Sequence, residues 1–145
     1  MRNINIIIIM MSLCFGGCDC GGKRIDRKYV IENNTVHKIK MDVYLGGSFR
    51  YSKEKSGRGV IQEVMGTNDK GKTLAAFIAL RGDSVVIVFD DTKRIIYYQT
   101  YSLPMFRELP DNKRNILDDS TYAHESNTLY RYTFTEEDYN NAADL

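Results

Sequence analysis

Residues 38–45 alternate strictly, with Ile39, Met41, Val43 and Leu45 on one side and Lys38, Lys40 and Asp42 on the other. A period of two sends successive side chains to opposite faces of an extended chain, so this stretch predicts a strand with one dry face and one wet face. Gly46-Gly47-Ser48 ends it, residues 49–51 open the next, and Ser56-Gly57-Arg58-Gly59 breaks the chain again before a strand over 60–65. Residues 66–71, Gly-Thr-Asn-Asp-Lys-Gly, read as a hairpin loop. Residues 74–80 and 85–89 are apolar on both sides and predict central strands. With residues 94–101 they form a meander joined by the turns Arg81-Gly82-Asp83 and Asp90-Asp91-Thr92-Lys93.

Residues 103–112 hold both prolines and read as an irregular crossing, in which Met105, Phe106 and Leu109 need cover. Residues 115–117 predict a short strand, and 129–134 a clear one with Tyr130, Tyr132 and Phe134 on one face and Arg131 and Thr133 on the other. Thr135-Glu136-Glu137-Asp138 has the form of a capping box, with a short helix expected to run through 139–143. About seven strands with close turns and one terminal helix predict an all-β fold. The expected architecture is an antiparallel β-sandwich, immunoglobulin-like in outline, with a small β-barrel as the alternative closure.

The N-terminus breaks this pattern. Arg2 precedes an apolar stretch over 4–15, the layout of a signal peptide and too short to span a bilayer. The stretch ends in Phe15-Gly16-Gly17-Cys18, which resembles a lipobox: two tiny residues before a cysteine let a lipoprotein signal peptidase fit the chain beside a lipid-modified thiol. Cys14 follows bulky Leu13 and Cys20 follows Asp19, so Cys18 is the lipidation candidate. The expected organisation is a signal peptide over 1–17, a lipidated cysteine and flexible tether over 18–28, and a single β domain over 29–145. Lys23, Arg24, Arg27 and Lys28 could touch anionic headgroups, but Asp26 dilutes the run and a solvated spacer is the better reading.

The 145 residues carry 20 Lys+Arg against 19 Asp+Glu, with a sequence pI near 7.7. No basic surplus is left to neutralise phosphates, so nucleic acid is not an expected partner. Loss of the leader would remove Cys14, and acylation of Cys18 would leave Cys20 as the only free thiol, so no internal disulfide is available and the core must carry stability.

Three stretches, residues 83–91, 114–117 and 130–139, resemble a group of small lipoproteins of unknown function from Bacteroidota. The resemblance implies an exported, outer-membrane, lipid-anchored β protein on the periplasmic or the surface face. It brings no activity and no catalytic residues.

Candidate chemistry is sparse. His37 shares the period of Ile39, Met41 and Val43 and reads as a packed or strand-end residue, while His124 sits in a polar loop. No catalytic set, metal site or cofactor is expected. Asp90-Asp91 and Asp118-Asp119 suit turns better than ion binding. Ten tyrosines and six phenylalanines against no tryptophan leave aromatics as the remaining handle. Tyr97, Tyr98, Tyr101, Met105 and Phe106 form the candidate ligand or partner surface, although adjacent Tyr97 and Tyr98 must face opposite ways, so one of them belongs to the core. The expected role is a binding module for a glycan or an envelope protein. The alternatives are a structural accessory subunit of an outer-membrane assembly and, behind it, a hydrolase pairing Asp90 or Asp91 with Asp118 or Asp119.

The anchor assignment predicts that Cys18→Ala abolishes incorporation of labelled palmitate and frees the chain from the membrane fraction, whereas Cys20→Ala changes neither.

Overall fold

A computed structural model describes residues 26–67, 75–99 and 114–145. Its largest unit is one long hairpin folded over at its middle. β1 (Asp26–Asn33) runs into β2 (Ile39–Leu45), and β3 (Ser48–Lys55) runs into β4 (Gly59–Thr67). The turn between β2 and β3 is Gly46-Gly47, both at positive φ, which glycine adopts without a Cβ penalty. β2 pairs with β3 from Leu45↔Ser48 to Ile39↔Lys55, and the pairing resumes between β1 and β4 from Asn33↔Gly59 to Asp26↔Thr67. The two halves nevertheless belong to different sheets.

Asn33 holds the fold point. It is fully buried, and its amide nitrogen donates to the carbonyls of His37 (2.7 Å) and Gly57 (2.9 Å), one on each limb of the hairpin. Its side-chain oxygen accepts from the backbone N–H (2.8 Å) and the hydroxyl (2.7 Å) of buried Thr35. Both donors and both acceptor sites of the amide are thus used. A buried polar group so saturated stabilises a unique corner; left unpaired it would cost about 1–3 kcal/mol.

The remaining strands are β5 (Ser84–Phe89), β6 (Lys93–Tyr98), β7 (Ala123–His124), β8 (Leu129–Phe134) and β9 (Ala143–Asp144). Sheet A has the order β4-β1-β8-β7 and sheet B the order β3-β2-β5-β6-β9. The expected β-sandwich is therefore present, and among the described residues neither sheet closes into a barrel. One pairing is parallel: β8 lies beside β1 in the same direction, from Lys28↔Leu129 to Asn33↔Phe134. A tight turn would force antiparallel pairing, but β8 is reached through a long connection that leaves its direction open.

Residues 76–80 form helix α1 (Ala76–Leu80) rather than a central strand, and β5 takes β2 as its neighbour. Three alanines favour helix, and burial of Ala76 and Leu80, four apart, is the helical period hidden in a short apolar run. Residues 115–117, expected as a strand, form a turn instead, because the Asn115 side chain accepts from the Leu117 N–H at 3.0 Å. The capping box is present: the Asp138 carboxylate takes the Thr135 N–H at 2.8 Å at the start of helix α2 (Glu136–Asn141). β1 takes its first residues from the segment read as tether. The hairpin loop expected over 66–71 and the crossing over 103–112 lie largely or wholly outside the described residues.

The core is a chain of rings between the sheets. Tyr130 contacts Tyr29, Tyr29 contacts Tyr122, Tyr122 contacts Tyr132, Tyr132 contacts Phe134 and Phe134 contacts Phe89, with centroids 5.1–6.0 Å apart. Around it pack Ile31, Ile39, Met41, Val43, Val85 and Ile87, all fully buried. On edge strand β3, Lys53 and Lys55 share the face of Met41 and Ile39, a placement that discourages another strand from adding there.

Two substitutions test this account. Asn33→Ala should cost about 3 kcal/mol or more, since it strips partners from several buried groups at once. Gly82→Ala should cost about 1–3 kcal/mol, because a Cβ there would collide with Val43 Cγ1 and stand 2.9 Å from the Tyr44 carbonyl oxygen. Urea denaturation read by circular dichroism measures both.

Candidate functional site

Of the sequence-derived surface only Tyr97 and Tyr98 lie among the described residues, and they face opposite ways. Tyr97 is only 3% exposed and its hydroxyl meets that of Tyr132 at 3.3 Å inside the core. Tyr98 points the other way, to the outer face of sheet B, where it is half-buried. Tyr101, Met105 and Phe106 lie outside the described residues. The alternation argument that one of the adjacent tyrosines is core therefore holds, with Tyr97 inside.

His37 lies in the fold point, before β2 begins, and joins three elements. Its Nδ1 stands 2.5 Å from Asp90 Oδ2 in the β5–β6 turn, and its Nε2 stands 3.1 Å from Glu136 Oε2 on α2. Its ring stacks on Tyr139 with centroids 3.6 Å apart, and Tyr139 meets Phe89 edge-on. Both carboxylates also bind the backbone of the fold point: Asp90 Oδ1 accepts the Lys38 N–H at 2.7 Å and Glu136 Oε1 the Val36 N–H at 3.2 Å. The cluster thus clasps the C-terminal helix and the β5–β6 turn onto the corner. Both carboxylates that face the ring are tied to the backbone of the fold point as well. Sequence reasoning missed it because Asp90 and Glu136 are 53 and 99 positions from His37.

The remaining acidic candidates are also occupied. Asp119 accepts from Tyr29 Oη (3.1 Å), Arg27 (3.3 Å) and the Ala76 N–H (2.5 Å), so it closes the first turn of α1 onto β1. Burial pushes the Tyr29 hydroxyl up to about 12, so at neutral pH it stays a donor. Asp118 accepts the Ser120 N–H at 2.9 Å. Asp119 sits by Arg27 near the start of β1 and Asp90 by Lys38 beyond its end, about 20 Å of strand apart, so these two carboxylates do not form a hydrolytic pair. Among the described residues no three His, Cys, Asp or Glu side chains are placed to hold a metal.

The outer faces of the two sheets differ. On sheet A, Lys28 pairs with Glu63 at 2.7 Å, and Arg131 pairs with Glu32 at 3.0 Å and with Glu125 at 2.5 Å. Val30, which points outward between Glu63 and Arg131, is nevertheless buried, so the ion-paired side chains roof it over. On sheet B the registers set three rows across β3, β2, β5 and β6: Phe49–Tyr44–Ser84–Tyr98, Ser52–Asp42–Val86–Ile96 and Glu54–Lys40–Val88–Arg94. Tyr44 and Phe49 meet edge-on with centroids 5.8 Å apart, and Phe49 is 58% exposed. The first row is an aromatic strip with a serine in its gap; the second is apolar around one carboxylate. The period-two pattern contained these positions, but the strand order that aligns Tyr44 with Tyr98 was not visible in it.

The His37 clasp has a pH signature. The imidazole and the Lys38 N–H hold the Asp90 carboxyl below its ordinary range. The unfolded chain therefore binds that proton more readily than the folded one, so the contribution is complete above the ordinary carboxylate range and drains away as pH falls through the depressed folded value. His37→Gln and Asp90→Asn should each flatten the acid limb of stability against pH, read as urea midpoints between pH 2 and pH 6, relative to the wild type.

No family model matches the chain, and neither a curated protein nor a solved structure matches it, so the reading of these faces rests on the residues themselves.

Proposed function

We propose that the chain is an exported envelope protein anchored to the outer membrane through a lipid on Cys18, and that its β domain is a binding module that presents the outer face of sheet B. The observation that carries the reading is the contrast between the two outer faces. Sheet A is crossed by ion pairs whose members satisfy each other, and its exposed apolar side chains, Met65 and Val60, stand apart on edge strand β4. Sheet B turns out two tyrosines, a phenylalanine, two valines and an isoleucine across four paired strands. Rings with an apolar body and a polar tip suit a contact surface that is also wetted.

The anchor supports the same reading. Asp26, the first residue of β1, follows Cys18 by eight positions, so the tether reaches at most about 28 Å. A domain tethered this way stays within reach of the membrane surface and keeps a sheet face free to meet a polymer or a neighbouring protein. Among the described residues no helix is long and apolar enough to cross a membrane.

Protease shaving of intact cells, with a periplasmic protein as internal control, tests the presentation. Loss of the domain while the control survives places it on the surface. Protection until the outer membrane is permeabilised places it in the periplasm. Equal cleavage of Cys18→Ala and wild-type chains in the membrane fraction would contradict the anchoring.

A further inference from the structure

We propose that the outer face of sheet B binds a neutral saccharide chain laid across the strands along the row Phe49–Tyr44–Ser84–Tyr98, with Asp42 as acceptor for a sugar hydroxyl. This deepens the binding-module reading and rests on it.

The first argument is spacing. Paired strands lie about 4.8 Å apart, so Tyr44 and Tyr98, separated only by β5, stand about 10 Å apart with Ser84 between them. Two ring walls, a small hydroxyl-bearing floor and Phe49 beyond Tyr44 make a strip of about 14 Å. The faces of sugar rings are apolar and their edges are hydroxyls, which is the complement of aromatic side chains with wet tips. The Tyr44 hydroxyl has no hydrogen-bond partner among the described residues.

The second argument is an unmet hydrogen bond. Asp42 stands two residues from Tyr44 on β2, about 7 Å along the strand and on the same face. It is 8% exposed, its Oδ2 pairs with Lys40 at 3.0 Å, and its Oδ1 has no partner. A buried carboxylate oxygen without a donor is costly, and a hydroxyl-rich ligand entering over the Lys40 side chain would supply one.

The third argument concerns charge and area. Asp42 is paired with Lys40, while Asp83, which accepts the Ser84 hydroxyl at 3.2 Å, and Arg50, the bulge residue beside Phe49, bring opposite charges to the first row, so no single sign of charge there favours a charged polymer. The three rows cover about 14 Å by 13 Å, far below the roughly 800 Å² per partner of a stable protein complex, but enough for a few sugar units.

The test uses the full chain in detergent against immobilised neutral oligosaccharides of defined composition: β-1,4-glucan, α-1,4-glucan, β-1,4-xylan and α-mannan fragments. Retention of at least one is expected, with at least a ten-fold loss of affinity for Tyr44→Ala and for Tyr98→Ala. Tyr44→Phe should retain most of the ring contribution, Asp42→Asn should weaken binding, and Arg131→Ala on the opposite sheet should leave it unchanged. Thermal melts of each variant separate lost binding from lost folding. Failure to retain any of the four, or retention that Tyr44→Ala and Tyr98→Ala both leave intact, overturns the saccharide proposal. A photo-crosslinking residue at Phe49, expressed in cells, separates the two levels: a protein adduct without saccharide retention removes the sugar and leaves the binding face standing. No adduct and no retention removes both.

Discussion

Asn33 carries the constraint on which the rest of this structure depends. A hairpin of forty-odd residues would otherwise lie flat as a two-stranded ribbon with nothing to bury its apolar face, and such ribbons are marginal in water. Folding it at the middle turns one face inward on both halves, so Tyr29 and Ile31 from β1 share one core with Ile39, Met41 and Val43 from β2. The corner breaks the ladder on both limbs at once, and the carbonyls of His37 and Gly57 lose their strand partners there. One buried amide meets both. Asparagine suits the position because its two donors and two acceptor sites match two carbonyls, an N–H and a hydroxyl.

The C-terminal third is built onto that corner. β8 lies along β1, and the Asn34 N–H reaches the Phe134 carbonyl at 3.0 Å just past the end of the pair. Its capping box then turns the chain so that Glu136 and Tyr139 meet His37, while Arg114 bridges buried Asp138 and the Thr133 carbonyl. Polar clasps at the corner end and aromatic packing between the sheets hold the two layers together, and no cysteine lies among the described residues. The division of labour leaves the outer faces to other ends: ion pairs cross the middle of one, and the other carries a continuous aromatic row beside mixed apolar and charged ones.

The sequence made the fold class legible because period two dominates and the turn residues stand where strands stop, as at Gly46-Gly47 and Asp90-Asp91. It misread residues 74–80 because a short run that is apolar all round satisfies a buried strand and a buried helical turn equally, and three alanines decide between them only once Leu80 has a core to enter. It missed the parallel partnership of β1 and β8, since pattern fixes which face a strand buries and says nothing of its neighbour. The same limit hid the candidate face. Tyr98 was legible as one of an inside–outside pair, but Phe49 and Tyr44 gained meaning only when β2 and β5 aligned them with it. His37 was legible as a residue near a strand end, but its partners come from a turn and a helix rather than from a strand face.

Native-state hydrogen exchange reports most directly on the claim that the folded hairpin is a single unit held at its corner. The account predicts that the Thr35 amide and the paired amides of β1 and β2 exchange only through global unfolding, with one common free energy. Exchange of the β2 and β3 amides through a separate, lower-energy opening while β1 and β4 stay protected would show two independent halves and contradict it.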